Sequence, residues 1–169
     1  MVIIMKKMFA KMLGIVMCLT LSIPAFAADG GKEPIRLEKG ESITIGDVTI
    51  SVKENTEESM PATRAATYYY FRNYEHNSSA YFDRAVTCVG SRGNIVTMTL
   101  DNGMGQRDVI WQFVALGEVI EAYVEMGDDE RIEVTTEDPD GFSGDVEWSI
   151  YPTDGGTMHF IYNMYQYWG

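Results

Sequence analysis

Between Ile43 and Ile150 apolar residues return at every second position, segment after segment, and nowhere is the three-to-four spacing of an amphipathic helix sustained. A period of two places successive side chains on opposite faces of a strand, so each segment has one face to bury. Gly and Asp-rich breaks at short intervals divide the pattern into eight or more strands, with no convincing internal repeat. That pattern predicts an all-β domain: an antiparallel β-sandwich of jelly-roll or Ig-like kind, with a closed β-barrel as the nearest competitor.

The clearest local signal is Gly46-Asp47 between alternating runs. Glycine first in a two-residue turn suits a type II′ hairpin, and folding there sets Ile45 opposite Val48 and Ile43 opposite Ile50. Further strands are predicted over 68–71, 81–89, 95–100, 109–116, 119–126, 131–135, 145–151 and 158–168, with 73–79 a polar loop. Val109 to Leu116 is apolar on both sides, as in a strand covered on both faces. The predicted interior is Ile43, Ile45, Ile50, Val96, Met98, Ile120, Val124, Ile132, Val134, Val146, Trp148 and Ile150.

The N-terminus has the order of a secretory signal: Lys6, Lys7 and Lys11, an apolar run from Met12 to Ile23, and the small-residue site Ala25-Phe26-Ala27. Residues 1–27 are therefore read as a signal peptide, 28–40 as a loosely held leader, and 41–169 as one domain interrupted by a solvated connection at 54–66. The apolar run is too short for a stable span, and no later segment reaches the roughly 20 apolar residues one needs. This predicts a secreted, extracellular protein with no membrane attachment after cleavage. Removal of the signal takes Cys18 with it, so Cys88 is the one remaining thiol and an internal disulfide is excluded. Val86 and Cys88 share a strand face, and Cys88 reads as a small buried hydrophobe.

The chain carries 13 basic and 25 acidic residues, a formal charge of −12. That balance excludes a basic nucleic-acid binder and points to a neutral or cationic ligand. No Gly-x-Ser-x-Gly, His-Glu-x-x-His or comparable nucleophile motif is present, and the two histidines, His76 in the polar loop and His159 in the last strand, make no recognisable triad. The chain is accordingly read as no enzyme. One metal candidate stands out. Asp138, Asp140 and Asp145 with the acidic run 128–130 supply hard oxygen ligands of the type calcium takes, although an Asp-Pro-Asp-Gly turn explains the first residues without an ion. No other cofactor is implied.

Aromatics are the least ordinary feature, clustered at Tyr68-Tyr69-Tyr70-Phe71 and at Phe160, Tyr162, Tyr165, Tyr167 and Trp168. Adjacent rings on a strand point to both faces, so part of each cluster faces away from the core. If the first and last strands lie near a sheet edge, Tyr69, Tyr165, Tyr167 and Trp168 form an exposed platform for sugar rings or for a partner's side chains. The function expected on this basis is a secreted, non-catalytic recognition or adhesion module binding an extracellular glycan or protein at or outside a bacterial cell surface. Two alternatives come from other classes: a small secreted inhibitor or toxin-like antagonist, and an enzyme without a short motif.

Overall fold

The Gly46-Asp47 turn folds as its sequence demands. Gly46 has φ of +65°, and the strands on either side pair Ile45 with Val48 and Ile43 with Ile50. The computed structural model describes residues 33–55 and 67–169; the signal peptide assigned to 1–27 and residues 56–66 of the connection lie outside them. Eleven strands run in chain order: β1 (Ile35–Leu37), β2 (Ser42–Ile45), β3 (Val48–Glu54), β4 (Tyr68–Ser78), β5 (Phe82–Cys88), β6 (Ile95–Asp101), β7 (Val109–Ala115), β8 (Glu118–Val124), β9 (Asp129–Thr136), β10 (Gly144–Pro152) and β11 (Met158–Tyr167). The only helical element among the described residues is a single 3-10 turn, Gly90–Arg92.

The strands form two packed sheets, a sandwich not closed into a barrel. One has the order β1-β8-β7-β10-β5 and the other β2-β3-β9-β6-β11-β4. All pairs are antiparallel except β1 with β8. Links 38–41 and 79–81 carry the chain from one sheet to the other, so β1 and β2 flank one side of the sandwich and β4 and β5 the opposite side. The inward rows of both sheets meet as the alternation predicts: Ile50, Val134 and Val96 across one sheet, and Ile120, Phe113 and Trp148 across the other, are all buried. Ile43 and Ile45 are only half-buried because β2 is an edge strand.

Two segments depart from the sequence reading. Residues 35–37, expected to belong to the loose leader, form β1, with Leu37 buried against β8. Three residues are too few for a period to be visible. The polar loop expected at 73–79 is the second half of β4. Its register with β11 slips between Tyr162 and Met164 and again between Met164 and Tyr165, and Asn73 adopts φ of +49°. A bulge adds residues to one strand without a partner on the other, so the alternation shifts phase and the strand reads as if it had ended.

Candidate functional site

The four aromatics proposed as a platform do not share one surface. Tyr69 and Trp168 are 38% and 41% exposed, whereas Tyr165 and Tyr167 are only 2% and 7% exposed. The reason is topological. β11 is not at an edge but lies between β6 and β4, so its outward rings have a neighbouring strand on each side. Tyr165 packs against Tyr69 with ring centroids 5.5 Å apart, and stacks on Tyr167 at 5.9 Å. The true edge strand is β4, and it exposes a ring that the prediction omitted, Tyr68, at 43%. Gln166 is opposite Tyr68 in the ladder, and Trp168 follows two residues later.

Along this side the rings carry arginines. The Arg92 guanidinium lies 3.6 Å from the Tyr68 ring centroid and 5.4 Å from that of Tyr70. Arg72 lies 5.1 Å from Tyr69. Arg84, on β5, lies 4.5 Å from Phe82 and 5.5 Å from Tyr74, bridging the edges of the two sheets. Guanidinium groups at these separations are attracted by the negative face of the ring. Arg72 and Arg84 are exposed and Arg92 is half-buried.

A buried amide holds the end of this side in place. The Gln166 Nε2 group donates to the Gly93 carbonyl at 2.8 Å and to the Phe142 carbonyl at 2.9 Å, while its Oε1 accepts from the Tyr70 hydroxyl at 2.7 Å. Arg92 in turn donates to the Tyr70 hydroxyl oxygen at 3.2 Å. One side chain thus ties the 3-10 turn, the β9–β10 loop and the start of β4 together. Gly93 and Gly141 pack backbone to backbone beside it; a Cβ on either would meet neighbouring backbone at 2.0 Å and 2.2 Å respectively, which only glycine avoids.

The opposite side is acidic and already neutralised in part. A groove of about 730 Å³ runs beside β1, lined among others by Arg36, Lys39, Glu121, Glu125, Asp128 and Glu130. Lys39 pairs with Asp128 at 2.6 Å and with Glu130 at 3.4 Å, and Arg36 with Glu121 at 3.4 Å. Burial pushes the Glu130 carboxyl up to about 7, against the opposing pull of Lys39.

The proposed calcium ligands are not brought together. Residues 128–130 and 138–140 lie at opposite ends of β9, whose eight residues separate them by about 25 Å. Two loops that flank one strand cannot meet at one end of a sandwich. The Asp138 carboxylate accepts from the Asp140 backbone N–H at 2.8 Å, and its carbonyl from the Gly141 N–H at 2.9 Å, so the Asp-Pro-Asp-Gly segment is a turn. Asp145 is spent on β10, where it accepts from the Thr87 hydroxyl at 2.7 Å. Among the described residues no group of three or more potential ligands is placed to hold a metal.

The histidines and the thiol are equally settled in the fold. His76, expected on an exposed loop, is buried in β4 with its ring stacked on Phe160 at 4.9 Å and one nitrogen 3.1 Å from the Ala80 carbonyl. His159 pairs with Glu75 across the strands at 2.8 Å. Cys88 is buried, as read from its strand, and burial pushes its thiol up to about 11. It is held protonated at neutral pH, in the unreactive form.

Sequence reading missed the arginines. Arg72 directly follows the Tyr68–Phe71 run, which is a usable hint, but only the tertiary fold carries Arg92 to Tyr68 and Arg84 to Tyr74. No family profile, curated protein or solved structure matches the chain.

Proposed function

We propose that this chain is a secreted, non-catalytic recognition module that meets its ligand on the β4–β5 side. The observation that supports this reading is the exposure of large aromatics along one edge, Tyr68 and Tyr69 on opposite faces of β4 and Trp168 just past the end of β11. Tyr, Trp and Arg are the residues that dominate binding energy at protein interfaces, since each combines a large apolar area with a polar handle. The signal-like order of residues 1–27 supports export.

The burial of Tyr165 and Tyr167 favours a protein ligand over a glycan. A sugar stacks on an open ring face, but Tyr68 and Tyr69 each have a guanidinium over the ring. The same observation gives weight to a second reading, a small secreted antagonist that blocks a protein partner through this side. The test is a Tyr68→Ala, Tyr69→Ala, Trp168→Ala variant compared with the wild-type protein on a glycan array and in a cell-surface pull-down. Loss of a protein partner by a variant that still folds is the expected result; a folded variant that keeps every partner removes the proposal.

A further inference from the structure

We infer that the β4–β5 side takes an extended, carboxylate-rich segment of a partner protein. This rests on the reading that the side is the ligand-binding surface, and it adds the chemistry of what is bound.

The argument begins with how the cations are distributed. Eight lysines and arginines lie among the described residues. Five of them are in ion pairs: Arg36 with Glu121, Lys39 with Asp128 and Glu130, Lys53 with Glu133, Arg107 with Asp154, and Arg131 with Glu133. The other three, Arg72, Arg84 and Arg92, pair with no carboxylate among the described residues, and these are the three that lie over rings on the β4–β5 side. Among the described residues three arginines on one side have no acid at ion-pair distance, a marked segregation in so acidic a chain.

A guanidinium on a ring is positioned without being neutralised. Its flat face is occupied, while its in-plane N–H groups form the fork that matches a carboxylate with two parallel hydrogen bonds. Arg84 uses two of these groups, on the Asp83 carbonyl at 2.6 Å and the Tyr74 hydroxyl at 3.2 Å, and Arg92 uses one on Tyr70. A guanidinium has five N–H donors, so each keeps several for a ligand. The rings also fix the long side chains in advance, which lowers the entropy lost on binding.

The spread of the three groups sets the ligand's shape. Arg92 lies at Tyr68 and Arg84 at Tyr74, rings opposite the inward-facing Gln166 and Tyr162, six residues and about 20 Å apart along β4, while Arg72 lies over Tyr69, which faces outward with Tyr165. A single small anion cannot reach all three; an extended chain along the edge, its side chains alternating between the two faces, can. Simple strand addition to the β4 edge is disfavoured by the two register slips, because bulges blunt an edge against backbone pairing. Recognition then falls to side chains, and acidic side chains complement them.

The experiment uses the whole protein and three fluorescent polymers of about 20 units, poly-L-glutamate, polygalacturonate and poly-L-lysine, with anisotropy read at about 0.1 M salt, where charges are screened beyond about 10 Å. Poly-L-glutamate is expected to bind best, to weaken with added salt, and to weaken about tenfold or more in Arg72→Gln, Arg84→Gln, both exposed positions, with Arg36→Gln on the other side leaving it unchanged. Near-UV circular dichroism checks that each variant keeps its fold, and Arg92→Gln is measured separately because Arg92 also contacts Tyr70. Tighter binding of polygalacturonate overturns the assignment to a protein segment. No binding of poly-L-glutamate, tighter binding of poly-L-lysine, or indifference to the arginine changes overturns the inference itself. If the arginine variants keep the pull-down partner while the Tyr68, Tyr69, Trp168 variant loses it, the recognition reading stands and this inference fails; if both keep it, the reading fails as well.

Discussion

The two sides of the sandwich handle positive charge in opposite ways. On the β1–β2 side Arg36 and Lys39 lie on Glu121, Asp128 and Glu130; on the β4–β5 side Arg72, Arg84 and Arg92 lie on tyrosine and phenylalanine rings. An ion pair satisfies a cation and closes the matter. A ring holds the cation in place and leaves its charge to act outward. A net charge of −12 therefore says little about what a particular surface attracts, and the proposed acidic ligand departs from the neutral or cationic one that the total alone suggests.

The largest way to break this comparison is to remove the core beneath the arginine side. Trp148 is buried, stacks on Tyr162 at a centroid distance of 5.3 Å, and stands opposite Arg84 in the ladder. Trp148→Ala is expected to cost about 3–5 kcal/mol in denaturant unfolding. A loss under about 1 kcal/mol would show that this side does not depend on the shared core.

The acidic side is tested through Glu130. Its carboxyl is raised to about 7 from an ordinary 4.5, by burial first and by Asp128 and Glu54, with Lys39 acting against the rise. A folded state that holds the proton more tightly is favoured where the proton is present. The contribution is complete below about pH 4.5 and is lost as pH rises through about 7. Melting curves should therefore show this side weakening across that window, and Glu130→Gln should remove much of the dependence, with a gain of about 1–3 kcal/mol at pH 8. A variant whose pH profile matches the wild type would mean that Lys39 already compensates the buried charge.

The smallest effects separate the two kinds of cation contact directly. Arg84→Gln should cost about 0.5–1 kcal/mol, the scale of an exposed cation–π contact together with lost cover over Phe82. Arg36→Gln should cost no more than about 0.5 kcal/mol and should become neutral in high salt, since an exposed ion pair is screened. Equal salt dependence of the two variants would erase the distinction drawn between the sides.

Most of the core was legible because burial on one face writes itself into the sequence at period two. Ile50, Val96, Ile120, Val134 and Trp148 could be placed inside before any fold was known. The site was less legible because it depends on strand order. Nothing in Met158–Tyr167 reveals that β11 is internal, and from that single fact the burial of Tyr165 and Tyr167 follows. The acidic loops fail for a different reason: the strand predicted over 131–135 already separates 128–130 from 138–140, and its length sends them to opposite ends of the sandwich. β4 shows a third obstacle, since a bulge at Asn73 disguised a long strand as a short one.

The pairing of β4 with β11 also governs when the arginine side comes into being. β4 has no other sheet neighbour among the described residues, and Tyr70 meets Gln166 across 96 positions of chain. At roughly 5–20 residues per second of synthesis, the run Tyr68–Phe71 waits on the order of 5–20 s for its partner strand. Four consecutive aromatics of high β-propensity are an aggregation hazard during such a wait, and a charge at the flank is the usual guard. Arg72 is the residue directly after that run, and replacing it is expected to lower the yield of soluble protein.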